Sequence, residues 1–201
     1  MKTFLSLLIL FTSLLVNAQT NKEIKKEIRA YQSKENKDFG NSETTILDSL
    51  DFITFKKLKF YKIDLKYHVN AKLTHTPDAK PFLMKTSTDR LPEYVKYAIA
   101  EFVIDDKVYK LNIYKSTRPI EKPEDDYVFI PFTDLTSGDG SYGGGRYLEL
   151  GVPEGDTMVI DFNLAFNPYC AYNHRYSCPI PPKENDLLIR IEAGVKEFGH
   201  H

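Results

Sequence analysis

Tryptophan is absent from the 201 residues, cysteine occurs only twice, and neither charge is in surplus. Lys and Arg number 27 against 28 Asp and Glu, with no basic block, so the electrostatic footprint of nucleic-acid or anionic-membrane binding is missing. Beyond residue 16 no apolar run approaches the roughly 20 residues that a membrane-spanning helix needs. Common catalytic signatures are also lacking: there is no G-x-S-x-G, S-x-x-K, H-E-x-x-H or EF-hand loop. Histidine is scarce. His200 and His201 close the chain, which leaves His68, His75 and His174. His68 and His75 stand an odd number of positions apart in one strand pattern, so they point to opposite faces and read as surface or half-buried residues. No cofactor is implied, and enzymatic activity is an open question at this level.

What is present begins with a leader-like N-terminus. Lys2 precedes an apolar stretch from Phe4 to Val16, and Val16-Asn17-Ala18 matches a small-residue cleavage pattern. Residues 1–18 therefore read as a signal peptide and residues 19–201 as a single domain, exported to a periplasm or the cell exterior. A chain of this length can bury a sizeable core without metal or disulfide support.

The 13 Tyr and 13 Phe favour strands and interiors, so an aromatic β core is the first reading and a stacking surface for a ring-shaped ligand the second. Thr20 to Glu23 fits a capping box, and Ile24, Ile28 and Tyr31 recur at helical spacing, predicting an amphipathic helix that ends near Phe39-Gly40. A shorter helix is expected over about 47–58, both helices lying outside the sheet. After Phe60 short apolar runs alternate with Pro, Gly and Asp. Strands are expected near 63–75, 82–88, 94–104, 107–115, 127–131, 146–151, 157–163 and 187–193. The best-defined hairpin puts Ala98, Ala100, Phe102 and Ile104 on one face and turns at Asp105-Asp106. The fold class is mainly β: an antiparallel sandwich or barrel-like sheet with an N-terminal helical segment.

Two stretches break the strand pattern. Five of the ten glycines fall between Gly138 and Gly145. Gly138, Gly140 and Gly143 match G-x-G-x-x-G, but a strand starting at Arg146 follows where a dinucleotide site needs a helix. The loop is either an anion cradle with Arg146 or a glycine-rich hairpin in which Arg146 pairs with a neighbouring carboxylate. The second stretch, Asp161 to Asn185, is long, polar and rich in aromatics and prolines, which marks an ordered and functional loop. It holds both cysteines. In an oxidising compartment Cys170 and Cys178 form a disulfide; the competing readings are packed thiols or, with His174, a three-ligand metal site of non-standard spacing.

Phe132 to Gly138, Ser141 to Tyr147, Asp161-Phe162-Asn163, Asn167 to Tyr172 and Cys178 to Asn185 together resemble the bacterial domain-of-unknown-function family 1684. The resemblance extends to Tyr31, Ser33-Lys34, Phe39, Thr86-Ser87-Thr88 and Ala193-Gly194. It implies a fold and a motif set but no reaction, and His174 lies outside the shared pattern.

If these motifs converge, Asp134, Tyr142, Arg146, Asn163, Asn167, Tyr172 and Asn185 form a polar cluster able to bind a small polar molecule such as a sugar or acidic metabolite. Arg146 would meet a ligand carboxylate or bridge to Asp161 or Glu184. In an alternative, Asp161 and Glu184 act as acid and base of a hydrolase. In a third, the cluster only satisfies loop backbone.

Overall fold

The computed structural model describes residues 2–123 and 126–199, with the backbone alone described for 2–19. Helix α1 spans Lys2–Phe39. It runs through the expected capping box without a break, because no Gly or Pro interrupts residues 2–39. Its end lies where periodicity places it, with the Gly40 N–H bonded to the Asn36 carbonyl at 3.1 Å. The side chains of the leader-like segment lie outside the described residues. Among the described residues no helix is long and apolar enough to cross a membrane.

Helix α2 is shorter than expected, Ser49–Thr54, because Asp48 caps it by accepting from the Leu50 and Asp51 N–H groups and Phe55 turns extended. Leu47 and Leu58, assigned to that helix from sequence, instead anchor its flanks in an apolar cluster with Phe39, Tyr172 and Val195.

The remainder is a mostly antiparallel sheet curled into a half-barrel. Its strands are β1 (His68–His75), β2 (Phe82–Leu83), β3 (Glu93–Ile104), β4 (Lys107–Ser116), β5 (Tyr127–Asp134), β6 (Arg146–Gly151), β7 (Thr157–Asp161) and β8 (Asp186–Leu187). The order is β6-β5-β4-β3-β1-β7, with β2 beside β3 and β8 parallel to β5. The β3–β4 hairpin forms in the expected register, Ile104 opposite Lys107, and Asp105 and Asp106 take φ of 48° and 59°. Positive φ at both positions matches the right-handed strand twist, and Asp tolerates it better than most residues.

Four predicted strands contract. The 63–75 segment pairs only from His68, after a 3₁₀ turn that Asp64 caps, and the 157–163 segment ends at Asp161, whose side chain caps the turn that follows. The 82–88 segment leaves the ladder after Leu83, as the Thr86 hydroxyl bonds the carbonyls of Thr88 and Arg90. The 187–193 segment stops pairing after Leu187, because the Ile191 N–H is taken by the Asp134 carboxylate at 2.7 Å.

Alternation gives the sheet two apolar faces. The concave face packs Ala98, Ala100, Phe102, Leu111, Ile113, Ile130, Phe132, Leu148 and Ile160 into the main core. The convex face of β4, β5 and β6 carries a second cluster, with Tyr114, Phe129 and Tyr147 beside Met84 and Cys178. The Asp161–Asn185 loop and α1 fold over this second face.

Candidate functional site

The polar residues singled out from sequence separate into distinct networks. Arg146, on the core side of β6, is fully buried. It pairs with Asp134 at 3.0 Å and donates to the Thr136 hydroxyl and to the carbonyls of Ile191 and Ala193. Its guanidinium also lies over the rings of Phe132 and Tyr61. Burial lowers its pKa and Asp134 opposes that shift. Arg146 is thus out of reach of a ligand, and it bridges to neither Asp161 nor Glu184. The expectation that it meets a ligand carboxylate is corrected: its partner is the Asp at the end of β5, just before the glycine loop. That loop is scaffolding. A Cβ on Gly145 would stand 2.5 Å from the Phe132 carbonyl, and one on Gly140 would strike the Tyr61 hydroxyl.

Asp161 accepts a hydrogen bond from the Asn163 side-chain amide at 2.8 Å and contacts His68 Nδ1 at 2.9 Å, and Asn163 in turn clamps the backbone of Asp64. Asn185 reaches between β4 and β5, accepting from the Asn112 N–H and donating to the carbonyls of Asn112 and Pro131. Asn167 holds the Lys196 carbonyl, and Tyr172 is buried between Phe39 and Phe198. Glu184 is exposed, at a 3₁₀ turn beside β4 and far along the sheet order from Asp161 on β7.

The cysteines are free thiols, which corrects the disulfide reading. They lie side by side through hydrogen bonds: the Cys170 N–H donates to Cys178 Sγ at 3.2 Å. Contacts from the Cys178 thiol first, then the Ser87 and Tyr142 hydroxyls, push the Cys170 thiol down to about 6. Tyr142 is therefore a neighbour of the thiols and not of Arg146. Among the described residues no three His, Cys, Asp or Glu side chains are grouped to hold a metal ion, so Cys170, His174 and Cys178 do not form the metal trio.

A groove on the convex face has the features of a site. Strand alternation turns Tyr147 and Glu149 of β6 outward, opposite to Leu148 and Leu150, which face the core. Phe166 is bridged to Tyr147 by two backbone hydrogen bonds of 2.9 and 3.0 Å, and their rings meet edge-on at 5.9 Å. Pro168 and Tyr169 extend this wall, and Cys178 lies at its margin. Helix α1 supplies the opposite wall with Tyr31 and Glu35. Together they enclose a cavity of about 460 Å³, within the range of small-molecule sites.

The side chains of Glu149 and Glu35 make no hydrogen bond or ion pair among the described residues. The nearest cation by sequence, Lys34, is bonded to Asp38 at 2.7 Å. Glu149 is open to solvent at the groove, yet crowding by protein raises its pKa, and no nearby charge contributes. Glu35 is raised first by desolvation, with Lys34 opposing and Asp38 assisting. Burial also raises the pKa of Tyr31 and Tyr169, and both feel the two glutamates.

The model of a family described as protein of unknown function, DUF1684, matches residues 53–196. The chain belongs to the DUF1684 family. A similar structure is the solution NMR structure of an uncharacterized protein from Haloarcula marismortui, 27% identical with a TM-score of 0.68, covering 89% of this chain and 96% of that one. No curated protein matches the chain.

In this DUF1684 protein the groove's floor lies inside the matched region, whereas Tyr31 and Glu35 precede it. The motif-based reading missed Tyr31, Glu35, Tyr147, Glu149, Phe166 and Tyr169 as a group. One signal was present: Ile24, Ile28, Tyr31, Glu35 and Phe39 fall on one stripe of α1, so a carboxylate occupies a slot where an apolar residue belongs.

Proposed function

We propose that this DUF1684 protein is an exported binder of a small, ring-bearing molecule, held in the groove between α1 and the convex face of β6. The observation that carries this reading is the cavity of about 460 Å³ lined by Tyr31, Tyr147, Phe166, Tyr169 and two carboxylates, Glu35 and Glu149. The Asp161–Asn185 loop contributes recognition through Phe166 to Tyr169, while the glycine loop contributes rigidity. The test is a thermal-shift screen with ring-bearing small molecules. A ligand at 100 times its Kd adds about 2.7 kcal/mol. The expected result is a shift lost in Tyr169→Ala, a half-exposed position that tolerates truncation. A shift that persists in Tyr169→Ala, or the absence of any shift, overturns the reading.

A hydrolase is the second reading, with its carboxylates moved from Asp161 and Glu184 to Glu149 and Glu35. Desolvation raises the pKa of both, as a general acid requires. Turnover of a groove ligand that vanishes in Glu149→Gln, with binding retained, would support it.

A further inference from the structure

We infer that the groove selects a small organic cation: an ammonium group carried on an apolar ring or chain. This rests on the groove being the ligand site. Among the described residues lining the groove none is Lys, Arg or His, whereas two are Glu. Lys34, the neighbour of Glu35 in sequence, is paired with Asp38 at 2.7 Å. Glu35 is half-buried and Glu149 more open, and the two carboxylates on apolar walls give the groove a negative potential that attracts a cationic ligand.

The walls fit the same chemistry. Tyr31, Tyr147, Phe166 and Tyr169 line the groove, and aromatic rings attract a cation most strongly where water is displaced. Leu164 and Pro168 provide apolar contact for the ligand body. Other ligand classes fit less well. A small acid would face two carboxylates and no donor cation. A sugar needs many paired donors and acceptors, but the described lining of the groove includes no Asn, Gln or Arg, and the Tyr147 hydroxyl is already bonded to the Pro179 carbonyl.

The experiment titrates the purified protein with three molecules sharing one ring: cyclohexylmethylammonium, cyclohexylmethanol and cyclohexanecarboxylate. All are transparent where tyrosine absorbs, and the protein has no tryptophan to mask the tyrosine signal. The ammonium is expected to bind at least about tenfold more tightly than the alcohol, the carboxylate least of all. In Glu149→Gln the ammonium's advantage should shrink while alcohol binding is unchanged, and Tyr169→Ala should weaken both. Salt should weaken only the ammonium. If the alcohol binds as well as the ammonium, the cation inference falls and the groove reading stands. If the ammonium's advantage survives Glu149→Gln and Glu35→Gln together, the inference falls as well. If none of the three binds, both readings fall.

Discussion

Arg146 makes the case for reading residues by their surroundings. A buried ion pair contributes little against an apolar alternative, but removing one partner strands the other. Arg146→Ala should therefore destabilise the protein by about 3–5 kcal/mol in urea unfolding. Combining Arg146→Met with Asp134→Leu should not restore stability. The Ile191 and Thr136 N–H groups that Asp134 accepts would lose their partner, leaving a deficit on the order of 2 kcal/mol. Glu149 behaves in the opposite way. Its pKa is higher folded than unfolded, so its contribution to stability is greatest below the ordinary carboxylate range and is lost as pH rises through the raised value. Glu149→Gln carries no charge at any pH. It should melt above the parent at neutral pH, with the advantage fading as pH falls below the ordinary carboxylate range.

At the scale of elements, the sheet has a weak seam. Among the described residues β4 and β5 are paired only at Tyr114 opposite Phe129, and Asn185 fills the gap beyond with three hydrogen bonds. Its side-chain amide acts there as a short substitute for a strand's peptide group. Asn185→Ala should cost on the order of 3 kcal/mol, by loss of buried partners for two carbonyls and one N–H. Amide exchange at Asn112 should accelerate in this variant more than at Leu111 or Ile113. The β3–β4 hairpin was legible because its turn and its alternation agree over a short separation in sequence. The contraction of 187–193 was not, since a distant carboxylate, Asp134, competes for the Ile191 N–H and wins.

At the scale of the whole molecule, α1 closes the groove and so couples the N-terminal segment to the sheet. Ile28 is almost fully buried on its inner stripe, and α1 lies against the Phe162–Leu164 turn. Ile28→Ala should lower stability by about 2–5 kcal/mol through the cavity left behind. Calorimetry is expected to show one cooperative transition at lower temperature. Two separate transitions would mean that α1 is an independent unit, and the groove would then open without unfolding of the sheet.

Sequence alone determined the mainly β class, the hairpin and its two-residue turn, the end of α1 near Phe39, and the DUF1684 motif set. These depend on period-two alternation, helical spacing and local turn chemistry, all written within a few residues of each other. It also located Arg146 and the long loop as the unusual features, yet it could not assign their partners. Tertiary structure decided that Arg146 turns inward to Asp134, that Asp161 and Glu184 stand apart, and that Glu35 and Glu149 share one groove. Residue 35 is on the helix and residue 149 on the sixth strand. Whether two such side chains meet depends on how the sheet curls and where α1 lies across it, which is set by packing summed over the entire core.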